Sequence, residues 1–238
     1  MVVLAAIGLA SFVLVSFVLG VRLVRLSSRT RKLPELMMGL AFLLCGGFGY
    51  GQVLASQVVL ETHPHLTPLL LASGSLVTSL GACCLSVFTW RVFRAGRAST
   101  MLFSALTGTV LVAFVGQALS GDFAEPGLHT FFPWLAVTSL GAVFVWPALE
   151  SFRYYAMLRR RRRVGLAEPA LARVFGWWAC GATSASLIYA TFAVTALLGV
   201  EEVTHPASAI PNALLGVFAA FSVQRAFRGD AAASASRR

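Results

Sequence analysis

Imidazole and carboxylate groups together can hold a divalent metal ion. All four histidines of this chain, His63, His65, His129 and His205, fall in short polar connections that also carry Glu61, Asp122, Glu125, Glu201 and Glu202. His63-Pro64-His65 can set two imidazoles on one side of an extended segment, a pattern that suits a zinc- or copper-like cation. No tight ligand spacing such as His-x-x-Glu-His occurs. The plainer role of histidines beside proline is as polar turn residues. The same imidazoles are also candidates for sensing pH on their side of the molecule.

A second group is uncharged. Tyr50, Gln52, Gln117, Tyr189 and Asn212 lie within otherwise apolar stretches and could converge on a pocket for a small ligand. Their plainer role is hydrogen bonding between helices, worth about 0.6 kcal/mol per contact in a membrane. Gly47 and Gly51 have the G-x-x-x-G spacing that lets helices approach closely. Cys45, Cys83, Cys84 and Cys180 lie in apolar stretches rather than outer loops and read as small packing residues.

Equally informative is the chemistry that the sequence lacks. Ionisable residues inside a membrane are costly and usually functional, and the apolar runs contain none. That argues against a proton pump or a carrier coupled through a buried carboxylate. Lys32 is the sole lysine, so no retinal Schiff base can form in the last helix and no cofactor is implied. Seven-helix hydrolases of the ceramidase and adiponectin-receptor types hold zinc with histidines inside helices, and this chain has none there. With no nucleophile–base pair visible, an enzyme ranks last among the readings.

The elements that must position these groups are seven runs free of Asp, Glu, Lys, Arg and His. They are Val2–Val21, Leu36–Leu60, Leu66–Trp90, Ala98–Gly121, Thr130–Leu149, Val174–Val200 and Pro206–Gln224, each 19 to 27 residues long. About 20 helical residues cross the roughly 30 Å hydrocarbon layer. Backbone groups in lipid must pair within the segment, which requires helices here. Of the 238 residues, 58% are hydrophobic and 12% charged, against about 25% charged in soluble domains. The expected fold is therefore all-α, a seven-helix transmembrane bundle over residues 1–228 with a disordered tail at 229–238. The first run lacks a preceding basic region and a cleavage pattern, so it reads as a retained helix rather than a signal peptide.

The 19 basic residues, which bring the net charge to +10, all fall in alternate connections and the tail. Arg22, Arg25, Arg29, Arg31 and Lys32 separate the first two runs, Arg91, Arg94 and Arg97 the third and fourth, and Arg153, Arg159–Arg163 and Arg173 the fifth and sixth. Arg225, Arg228, Arg237 and Arg238 follow the seventh. The positive-inside rule then puts the N-terminus outside and the C-terminus in the cytoplasm. Arg159, Arg160, Arg161, Arg162 and Arg163 are expected to contact anionic lipid headgroups rather than nucleic acid. Membrane lipid is thus the expected partner, and association with further copies of the chain is left open.

Two further patterns stand out. Val77-Thr-Ser-Leu-Gly-Ala82 recurs as Val137-Thr-Ser-Leu-Gly-Ala142, and convergence in low-complexity sequence is the plainer account. Glu150-Ser-Phe-Arg-Tyr-Tyr-Ala-Met-Leu-Arg-Arg-Arg-Arg-Arg-Val-Gly-Leu-Ala-Glu-Pro169, with Arg173-Val-Phe, Trp177 and Arg31-Lys-Leu-Pro-Glu35, resembles bacterial seven-helix integral membrane proteins. The resemblance covers about a sixth of the chain. It implies a bacterial inner membrane and seven helices, and it implies no activity. The leading functional expectation is a receptor or sensor reading a small extracytoplasmic ligand or condition. The alternatives are a facilitative carrier or channel for an uncharged solute, and a non-catalytic accessory subunit.

Overall fold

A computed structural model describes residues 2–60, 63–93, 96–125, 127–166, 168–200 and 206–235. Side chains are described for residues 10–56, 59–60, 63–93, 96–125, 127–166, 168, 170–200 and 207–226. The described chain is all-helical, and seven of its helices are long and apolar enough to cross a membrane. They are α1 (Val2–Thr30), α2 (33–59), α3 (Thr67–Phe93), α4 (Arg97–Ser120), α5 (Phe131–Arg163), α6 (Pro169–Leu197) and α7 (Pro206–Ala235). A short 3-10 turn, Pro64–Leu66, leads into α3.

Each helix packs against its neighbours in sequence, and α7 returns to α1, closing a ring in which α3 also touches α5. Because the connections are short, alternate helices run in opposite directions. One end of the bundle therefore carries the arginines and the other carries the histidines.

The helix boundaries have local causes. Pro34 and Pro169 stand in the first turns of α2 and α6, where a missing N–H breaks no helical bond. Arg160–Arg163 close α5, where cations meet the negative end of the helix dipole favourably. The helix α7 stays helical through Ala235, into the stretch expected from sequence to be an unfolded tail.

Many large side chains face outward, and many of the fully buried ones are small. Leu14, Leu69, Leu119 and Leu214 are exposed, whereas Ala82, Ala113, Ala179, Ser56, Thr89, Ser151 and Ser222 are fully buried. This is the arrangement of helices that meet lipid outside and approach one another closely inside.

The helix α2 is not uniform. It is α-helical over Leu33–Ala41, π-helical over Phe42–Gly49, and α-helical again over Tyr50–Val59. A π turn spans five residues per hydrogen bond rather than four and recurs at functional sites. The widened turn presses α2 between α1 and α3. A β-carbon at Gly46 would collide with Ser16 of α1, and one at Gly49 with Thr78 of α3. Cys45 donates its thiol to the Thr78 carbonyl at 3.3 Å. Within the π segment the tightest contacts thus fall on Gly46 and Gly49. A β-carbon at Gly51 would have its nearest neighbour 4.0 Å away, so the Gly47/Gly51 spacing does not mark the crossing.

The repeated hexapeptide has a packing role in both copies. A β-carbon at Gly81 would lie 2.6 Å from Cys45 of α2, and one at Gly141 would lie 3.3 Å from Tyr189 of α6. Each copy supplies a glycine at a helix crossing.

Candidate functional site

Three cavities follow one another along the bundle. The first, about 280 Å³, is cut into the histidine end and walled by the end turns of α2 to α7. Its polar groups include Ser75 of α3, Gln117 of α4, Thr195 of α6 and Asp122, which lies just beyond α4. The helix α4 stops at Gly121, whose φ of 78° is a left-handed conformation that glycine adopts without steric cost. The chain then folds over the cavity rim, and Asp122 fastens it there. Its Oδ2 accepts from the Ser120 hydroxyl at 2.5 Å and its Oδ1 from the Thr130 hydroxyl at 2.8 Å. Gln117 is buried and donates from Nε2 to the Phe132 carbonyl at 3.5 Å, tying α4 to α5. Among the described residues no basic side chain lines this cavity, and Asp122 is the one ionisable group there.

The second cavity, about 60 Å³, lies at the bundle centre with almost wholly apolar walls, among them Phe42, Leu85, Phe144 and Pro147. Tyr50 and Tyr189 form its wall toward the first cavity. The Tyr50 and Tyr189 side chains interact with each other there. The Tyr189 ring stacks on Phe144, and Phe12 meets Tyr50 edge-on at 5.8 Å. Tyr50 and Tyr189 each stand one turn below Val53 and Phe192, which wall the first cavity. An aromatic layer therefore separates the two.

The third cavity, about 180 Å³, lies toward the basic end and shares Met38 and Trp178 with the second. Trp178 packs edge-on against Phe42 at 5.9 Å and Phe88 at 6.2 Å. Trp178 is a buried core residue.

The five uncharged polar residues singled out by sequence do not share one cavity. Tyr50 and Tyr189 meet at the centre and Gln117 lines the first cavity. Gln52 faces the crossing of α2 with α3, its Cβ 3.2 Å from where a Gly74 β-carbon would stand. Asn212 is buried in α7 and borders neither of these cavities. Gln52 Oε1 and Asn212 Oδ1 are both buried without a hydrogen-bond partner among the described residues. Two positions apart in the α-helical Tyr50–Val59, Tyr50 and Gln52 point to opposite faces and serve different interfaces. Sequence reading passed over Asp122 as a pocket group. The signal for it is the Gly121-Asp122 pair immediately after an apolar run, where a helix end must turn across the bundle.

The histidines are divided as well. The rings of His63 and His65 have centroids 5.8 Å apart, His129 lies against Gly127, and His205 falls outside the described residues. Among the described residues no group of three or more metal-ligating side chains comes together. Two imidazoles supply only half of a tetrahedral zinc shell. Arg159–Arg163 are exposed on the last turns of α5, with the Arg159 guanidinium over the Tyr155 ring at 5.7 Å. Glu150 pairs with Arg153 at 3.3 Å.

No protein-family model matches the chain, and no curated protein or solved structure is similar to it. The resemblance carried by Glu150–Pro169 thus has no family model behind it, and the reading of function rests on the cavities.

Proposed function

We propose that the chain is a seven-helix receptor or sensor whose ligand enters the cavity at the histidine end. In this reading that end faces outward from a bacterial inner membrane, and the arginine-rich end faces the cytoplasm, as the positive-inside rule requires. One observation carries the proposal. The cavity bearing Gln117, Asp122, Ser75 and Thr195 ends on the layer of Tyr50, Tyr189 and Phe144, and the space beyond it is apolar. A hydrated polar solute finds partners above that layer, and the cavity directly below it is almost wholly apolar. The volume of about 280 Å³ is just under the roughly 300–1,000 Å³ of ordinary ligand pockets, which suits a small molecule.

A facilitative carrier is the second reading, favoured by the alignment of the three cavities. One pair of measurements separates the readings. A thermal-shift screen of the purified protein against small solutes should find a stabilising ligand, which at 100 times its dissociation constant adds about 2.7 kcal/mol. Uptake of that ligand into proteoliposomes should not exceed that of empty vesicles. Saturable uptake would replace the sensor with a carrier, and a screen with no stabilising solute would leave the accessory role.

A further inference from the structure

We infer that the basic third of α1 is a binding site for one anionic phospholipid, with its phosphate on Arg22, Arg25 and Arg29 and its acyl chain on Phe17, Val18 and Val21. These six residues and Leu26 line an open groove of about 560 Å³ on the outside of the bundle. Spacings of three and four residues place the three guanidiniums in one column on a single helix face, spread over about 10 Å of axis at 1.5 Å per residue.

Three observations favour an anion in this column. The helix α1 contains no acidic residue. The nearest acid in sequence, Glu35, accepts the Thr30 hydroxyl across the α1–α2 turn. Like charges at this spacing repel one another, so a counter-charge from outside the chain stabilises the helix.

Two more observations favour a lipid over a soluble anion. The side of the groove away from the arginines is apolar and exposed, with Leu14, Phe17 and Val18 uncovered and Phe17 meeting the exposed Phe48 edge-on at 5.7 Å. The uncharged run Val2–Val21 is as long as the hydrocarbon layer is thick. Arg22 therefore stands at the first level where a headgroup phosphate can lie.

The arginines of α5 differ. Arg159–Arg163 are consecutive, so they point around the whole helix, and all lie on its exposed end.

The test is native mass spectrometry of the full chain released from nanodiscs of mixed phosphatidylglycerol and phosphatidylcholine. The wild type should retain one phosphatidylglycerol in preference to phosphatidylcholine. The R22Q/R25Q/R29Q variant should weaken that retention about 100-fold, and R25Q alone about fivefold, from the attraction of each basic residue to anionic headgroups. The R159Q/R160Q/R161Q variant removes only diffuse headgroup contacts outside the groove and should keep the one retained phosphatidylglycerol. The R25Q change at one exposed position keeps the test valid if the triple variant does not fold. Unchanged retention in R25Q and the triple variant, equal retention of phosphatidylcholine, or loss in the α5 variant would each overturn the site. Displacement by millimolar inorganic phosphate would replace the lipid with a free anion.

Discussion

Tyr189 of α6 stacks on Phe144 of α5, with ring centroids 5.7 Å apart and planes 21° apart, and the pair lies between the polar cavity and the apolar one. Removing the Tyr189 ring should join the two spaces. Cys45 lines the central cavity and reports on access to it. In a chain carrying C83A, C84A and C180A, a charged maleimide supplied at the histidine end should leave Cys45 unmodified. Adding Tyr189→Ala should make it reactive. Equal protection in both would place the barrier elsewhere.

The π segment should be intolerant at particular glycines. Gly46→Leu and Gly49→Val drive side chains into Ser16 and Thr78, and such overpacking costs about 1–3 kcal/mol each. Gly51→Ala meets only ordinary contact and should change stability by less than about 0.5 kcal/mol. Denaturation of the three variants in one detergent checks the ranking, and an equal loss at Gly51 would contradict the packing described.

Gln117 separates ligand recognition from stability. Its bond to the Phe132 carbonyl is long at 3.5 Å, and membrane hydrogen bonds average about 0.6 kcal/mol. Gln117→Leu should therefore melt close to the wild type yet lose the stabilisation given by a ligand of the first cavity. A variant that keeps the full ligand shift would remove Gln117 from the site.

Asp122 should govern the connection from Gly121 to Thr130. Replacing it with Ala removes both hydroxyl bonds that hold the segment over the rim. Amide hydrogen exchange across residues 121–130 should accelerate severalfold, whereas residues 139–146 inside α5 should exchange as before. Unaltered exchange at 121–130 would show that Phe123, packed on Phe114 with centroids 6.0 Å apart, holds the segment by itself.

The number and the starts of the long helices were legible because a crossing follows a blunt rule, about 20 apolar residues, but Val2–Thr30, Phe131–Arg163 and Pro206–Ala235 run on past the charges that bound their apolar runs. The site was less so. Placing Tyr50, Gln52 and the glycines on faces of α2 assumes 3.6 residues per turn, and Phe42–Gly49 breaks that count. A run without polar alternation, such as Phe42-Leu-Leu-Cys-Gly-Gly-Phe-Gly49, gives periodicity nothing to detect. Asn212 and Gln117 were both candidates for one pocket, but which side of a helix faces a cavity depends on its neighbours. That information is spread over six other helices.

In π geometry each turn of Phe42–Gly49 holds more chain than an α turn. The helix α2 therefore has slack. Returning part of the stretch to α geometry lengthens the rod and swivels Tyr50 relative to Met38, while each peptide group keeps a hydrogen-bond partner. Tyr50 belongs to the layer beneath the outer cavity, and Met38 to the wall shared by the two inner ones. A change of pitch in a single helix would thus register at both ends of the apolar interior.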